Sequence, residues 1–136
     1  MFTTVNSRAA SAYQRVAVET SVQGADPHQL VTMLYEGLLR NLQLARSAMQ
    51  RQDMATKGQA LGKASRILDE GLKAGLNLID GGDLARNLHQ LYAYCAQRIT
   101  LANLRNDPSV VDEVIGLIDP LAQAWKDTRN AALTGG

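Results

Sequence analysis

The sequence predicts an all-α protein, an antiparallel up-down four-helix bundle preceded by a partly ordered N-terminal segment. Three observations predict it. Apolar residues recur three or four positions apart in four separate stretches, aspartates stand where helices should start, and no stretch shows the alternation of a strand.

Residues 1–25 form the first unit. They are rich in Ser, Thr and Ala and lack a sustained helical period. Within them AYQRVAV places Tyr13, Val16 and Val18 among polar neighbours, so the segment is either a mobile tail or a piece that docks on the bundle.

The bundle is expected over residues 26–131. Asp26-Pro27 opens the first helix, because aspartate accepts hydrogen bonds from free amides and proline at the first helical position surrenders a donor that had no partner. Leu30, Val31, Leu34, Leu38, Leu42, Ala45 and Met49 then share one face. Asp53 caps a second helix running toward Ile79, with Leu61, Ala64, Leu68, Leu72, Gly75 and Ile79 on its stripe. Gly58, Gly62, Gly71 and Gly75 fall inside it, which means either close helix packing or a groove left for a ligand helix. Asp80-Gly81-Gly82-Asp83 supplies a stop, a turn and the next cap.

In the third helix, the run from Asn87 to Asn106 puts Leu88, Leu91, Tyr92, Cys95, Ile99 and Ala102 within an arc of about 100°. Asp107-Pro108 opens the fourth, where Val111, Val114, Ile118, Leu121 and Trp125 repeat the pattern. Pro120 lies inside it, so a kink or local break is expected there. Residues 132–136 read as a flexible tail. Short connections make sequential neighbours antiparallel.

Charge narrows the function. Fourteen basic residues against 13 acidic give a net +1, which provides no global field for nucleic acid or anionic lipid. The single Cys95 excludes an internal disulfide, and its place on the core stripe makes it a small buried hydrophobe suited to a reducing compartment. There is no continuous apolar leader and no membrane-length stretch, so the chain reads as soluble and cytoplasmic.

Catalytic equipment is missing. A di-metal bundle site needs inward glutamates and Glu-x-x-His pairs, yet Glu36, Glu70 and Glu113 stand without such a partner, and His28 and His89 read as surface or boundary residues. No phosphate loop, nucleophile elbow or Cys-x-x-Cys is present. The sequence therefore predicts no enzyme, no metal and no cofactor.

What remains is apolar surface beyond the core stripes. Ala60, Ile67 and Ala74, with Leu78, lie beside the main stripe of the second helix; Tyr94 and Leu101 do so on the third, and Val110, Leu117 and Ala124 on the fourth. These positions either widen the core or form grooves for a partner's amphipathic helices.

Five blocks of this chain, AYQRVAVET, LVTMLYEGLL, KASRILDEGL, NLHQLYAYCAQRITLANLRND and EVIGLIDPLAQAW, resemble the flagellar secretion chaperone FliS family in order and spacing, from Ala12 nearly to Arg129. The resemblance implies a cytoplasmic helical bundle, not an enzyme, that binds the disordered C-terminal region of flagellin, prevents its premature polymerisation and keeps it competent for type III export. The partner-binding groove would then comprise Ala60, Ile67, Leu78, Tyr94, Leu101, Val110 and Leu117. Asn103 matches a recurring family position, with helix capping competing against partner contact. The resemblance also implies an N-terminal lid around Tyr13, Val16 and Val18 that plugs the groove without client and docks at the export gate when loaded. A self-assembling helical regulatory adaptor is the alternative. The identity of the flagellin, a co-chaperone and homodimerisation of the free protein are left open.

Overall fold

The computed structural model describes residues 26–76 and 81–135. Four helical elements build a bundle: α1 (Pro27–Gln50), α2 (Met54–Arg66) continuing as a π-helical segment (Ile67–Lys73), α3 (Gly82–Arg105) and α4 (Pro108–Gly135). Among the described residues there is no strand.

The helix starts follow local chemistry. Asp26 accepts a hydrogen bond from the Gln29 amide at 2.7 Å, with Pro27 in the first turn of α1. Asp53 caps α2 by accepting from the Thr56 amide at 3.1 Å and the Thr56 hydroxyl at 2.7 Å. Asp107 does the same for α4, accepting from the amide and hydroxyl of Ser109 at 3.0 and 2.7 Å. These bonds to the charged form hold the Asp53 and Asp107 carboxyls below the usual carboxylate range.

The end of α1 and the start of α2 are one continuous device. Gln52 takes a left-handed φ of 60°, its amide bonds the Met49 carbonyl at 3.1 Å, and the Asp53 amide reaches the Ala48 carbonyl at 2.8 Å. This closes α1 in a Schellman motif whose last residue is already the next cap. Asn106 plays the left-handed part at the end of α3, with φ 52°. Both hairpins are therefore tight, and α1–α2 and α3–α4 run antiparallel.

Around the bundle α1 packs against α2 and α4, while α3 packs against α4, α2 and the π-helical segment. The main stripes read from the sequence meet in one core: Leu30, Leu34, Leu38, Leu42, Ala45 and Met49 of α1 face Leu61, Ala64, Leu68 and Leu72, then Tyr92, Cys95, Ile99 and Ala102, then Val111, Val114 and Ile118. Val31, Leu88, Leu91, Leu121 and Trp125 pack at its edge, half-buried. Burial pushes the Cys95 thiol up to about 11, so at neutral pH it is the small hydrophobe its position implies. Lys57 is buried as well, and its ammonium donates to the Asn103 carbonyl at 3.1 Å, a cation set against the carbonyl-rich end of α3.

Several sequence expectations need correction. Ala60, Ile67 and Val110 are core residues, with 2%, 1% and 6% of their surface exposed. The reason for α2 is that it lies between α1 and α3 and must bury a broader face than one neighbour would require. The π-helical segment carries the same broad face onward, with Ile67, Leu68, Gly71 and Leu72 all buried. The second helix also ends early, since the helical ladder stops at Lys73 and residues 74–76 form a turn, whereas continuation toward Ile79 was expected.

The third helix begins earlier than its predicted cap. Gly81 is the N-cap, Gly82 adopts a φ of 63° that L side chains avoid, and Asp83 sits in the first turn, paired with Arg86. No break appears at Pro120, because α4 stays helical through it; the missing amide costs the Gly116 carbonyl its partner at an exposed position. The same helix runs to Gly135, past the boundary expected at residue 131.

The glycines of the second helical element divide by environment. A Cβ on Gly71 would stand 3.0 Å from Leu34 Cδ2, so glycine is what lets α1 approach there; at Gly58 and Gly62 a Cβ would meet nothing within 4 Å. Gly58→Ala and Gly62→Ala should each stabilise by about 0.4–1 kcal/mol, and Gly71→Ala should destabilise by about 1–3 kcal/mol. Thermal melts of the three single variants check both signs.

Candidate partner-binding surface

Leu84 and Leu104 are exposed singly; among the described residues, two regions join accessible apolar surface to defined polar groups. The first is the face shared by α3 and α4. Tyr94 is 41% exposed, Leu101 is half-buried, and Leu117 is half-buried against the core. Leu101 follows Tyr94 by two helical turns, and Leu117 follows Glu113 by one, so each helix contributes an apolar residue near a polar one.

Polar contacts stitch this face together. The Tyr94 hydroxyl donates to Glu113 Oε2 at 2.5 Å, and Arg98 Nε donates to Glu113 Oε1 at 2.7 Å. The Arg98 guanidinium also lies 5.9 Å from the Tyr94 ring centroid. The carboxylate's acceptance of both bonds, first from Tyr94 and then from Arg98, holds Glu113 below its ordinary range and raises the Tyr94 hydroxyl above its own. The result is a tyrosine whose hydroxyl is tethered while its ring stays accessible.

The second region is a cavity of about 140 Å³ near the start of α1. Val31, Leu34 and Tyr35 of α1, Gly71 and Leu72 of the π-helical segment, Gly75 and Leu76 after it, and Leu88 and Tyr92 of α3 line it. Among the described residues, Trp125 is the one contribution from α4. Tyr35 and Tyr92 share a hydroxyl hydrogen bond of 2.5 Å across the bundle, and burial raises both hydroxyls above the usual tyrosine range.

Trp125 is fixed by His28. The rings stack with centroids 4.4 Å apart and planes 10° apart. The Trp125 indole donates to the His28 carbonyl at 3.0 Å, while His28 Nε2 lies 2.8 Å from the Trp125 carbonyl and must carry the proton to bond it. This pairing joins the first turn of α1 to α4.

The sequence-predicted groove residues thus separate. Tyr94, Leu101 and Leu117 lie on the α3–α4 face; Ala60, Ile67 and Val110 lie in the core. Asn103 is exposed, and its backbone carbonyl, not its side chain, makes the recorded contact with Lys57. Leu78 and the lid residues Tyr13, Val16 and Val18 fall outside the described residues. The cavity was missed altogether, although the sole tryptophan of the chain and an aspartate-proline-histidine start of α1 were visible signals. Among the described residues, no group of three or more His, Cys, Asp or Glu side chains is placed to hold a metal ion. No described helix is long and apolar enough to cross a membrane.

Comparison with known proteins places this architecture. The family model described as Flagellar protein FliS matches residues 9–132. The chain is 48% identical over 115 residues to the flagellar secretion chaperone FliS of Salmonella typhimurium, covering 85% of each protein. It is 41% identical over 114 residues to the Vibrio cholerae protein of the same name, covering 84% of this chain and 83% of that one. Against the Bacillus subtilis protein of that name the identity is 34% over 116 residues, covering 85% of this chain and 82% of the other. With a matching family model across most of its length and relatives this similar over comparable spans, the chain belongs to the flagellar secretion chaperone FliS family.

Proposed function

We propose that this protein is a cytoplasmic export chaperone that binds the disordered C-terminal region of flagellin, keeps it from polymerising and delivers it to the flagellar type III export gate. One observation carries the reading. The bundle closes its core with one stripe of α3, and the same helix still presents Tyr94 and Leu101 outside that core. A disordered client covers such a surface by folding onto it, spending part of the contact energy on its own ordering. The chemistry required is burial of apolar area and needs no catalytic group, in keeping with a chaperone and not an enzyme.

On this reading the α3–α4 face holds Tyr94, Leu101 and Leu117 against the client, and the cavity beside Trp125 takes an apolar side chain from it. Asn103 borders the same face on its exposed side. Leu78 would extend the surface beyond the described residues. Asp26, the first described residue, stands two positions before His28, whose ring stacks on Trp125. A lid carrying Tyr13, Val16 and Val18 would shield this surface without client and present itself to the export gate once displaced. Competition of this kind lowers the apparent affinity by the fraction of open molecules.

Four outcomes are expected. Mass measurement of the purified full chain with a flagellin C-terminal peptide should give a one-to-one complex; a homodimer unchanged by peptide would favour a self-assembling adaptor and overturn the chaperone reading. Leu101→Asp should weaken peptide binding about tenfold, since it removes part of a leucine's burial energy, with the helical circular dichroism signal retained. Ile67→Asp, by contrast, should lose the fold, because it places a carboxylate in the core. Removing residues 1–18 should raise peptide affinity or association rate in titrations, and identical binding would show that the segment is no lid.

A further inference from the structure

We infer that His28 is a positioning residue for the client site, acting through Trp125, whose ring it holds as the α4 wall of the cavity. The inference rests on the chaperone reading for its client and on separate geometry for its mechanism. Among the described residues around the cavity, α1, the π-helical segment with its following turn, and α3 each supply two or more lining residues, whereas α4 supplies Trp125 alone. The shape of the site on that side is therefore the orientation of one indole.

The indole packs at the edge of the core, and the polar contacts recorded for it among the described residues are those with His28. It follows Pro120, where α4 lacks one rung of its hydrogen-bond ladder, and Lys126, Asp127 and Thr128 beyond it are exposed. The nearby Lys126–Glu36 ion pair is long, at 3.9 Å, and lies on the surface, so it contributes little. The stacked pair with its two hydrogen bonds is the strong link between α1 and α4 at this end.

The orphaned nitrogen of His28 points to the ring as the selected feature. With Nε2 protonated toward the Trp125 carbonyl, Nδ1 is left as an acceptor, and it is enclosed without a partner among the described residues. A buried acceptor left unmet opposes folding. Several other side-chain types can supply a donor to the Trp125 carbonyl, so a requirement for a donor alone does not account for histidine. What histidine adds is a flat face parallel to the indole, which fixes the plane of the cavity wall.

Trp125 is the only tryptophan, so its fluorescence reports the wall directly. Three full-length proteins suffice: wild type, His28→Ala, which removes stack and donor, and His28→Phe, which keeps a stacking face. In His28→Ala the Trp125 emission should move to the red and become more accessible to acrylamide, with flagellin C-terminal peptide bound about tenfold more weakly and the helical signal unchanged. In His28→Phe emission and most of the affinity should return, even though the hydrogen bond is gone. Affinity that follows melting temperature across the three proteins, and not Trp125 emission, would overturn the inference in favour of a purely structural pair. If His28→Ala does not fold, the wild type decides: peptide binding should shield Trp125 from acrylamide. A one-to-one complex in which Trp125 is as quenchable as in the free protein would defeat the inference and leave the chaperone reading standing, whereas absence of any complex would defeat the reading itself.

Discussion

The close approach of Leu34 to Gly71 is the contact on which the cavity end of the bundle depends. It is permitted by the missing Cβ at Gly71, and it falls within the π-helical segment. With α1 drawn in at that point, Tyr35 reaches Tyr92 across the bundle and their hydroxyls satisfy each other in a setting that would otherwise leave both unmet. The cavity is the space left between that pair, the π-helical segment and Trp125. A side chain at Gly71 would disturb all of these relations together.

How much of this was legible in the sequence depended on the range of the cause. Caps at Asp26, Asp53 and Asp107 are local, formed by residues two or three positions away, and they stand where the chain announces them. The main stripes were equally legible because helical periodicity fixes which side chains share a face. Periodicity does not say how many neighbours a helix has. Ala60 and Ile67 were therefore read as surplus when α2 in fact faces two partners, and Val110 was drawn into the core where α3 and α4 meet. The π-helical segment was illegible for a related reason, since packing selects an i→i+5 ladder and no residue pattern marks it.

Site residues show the same division. Tyr94 and Leu101 were found because they stand off the core stripe of one helix. The Tyr94–Glu113–Arg98 cluster needed the α3–α4 pairing, which is one short turn away in sequence. His28 and Trp125 are separated by 97 positions, and nothing near either residue names the other. The lining of the cavity comes from α1, the π-helical segment and its turn, α3 and α4, so it exists only once the whole bundle is assembled.

The short connections after α1 and α3 also set an order in time. Each makes a helical hairpin whose contacts span few residues, so α1–α2 and α3–α4 can close early at small cost in chain entropy. Contacts between α1 and α4 wait for both hairpins, and the longest closure among those described here is the one that brings His28 to Trp125. The part of the molecule with the most distant chain partners is thereby the last to be secured during folding. An end secured by partners so far apart in the chain keeps its shape only while both hairpins stay docked, so the cavity registers the docking of the two halves of the bundle.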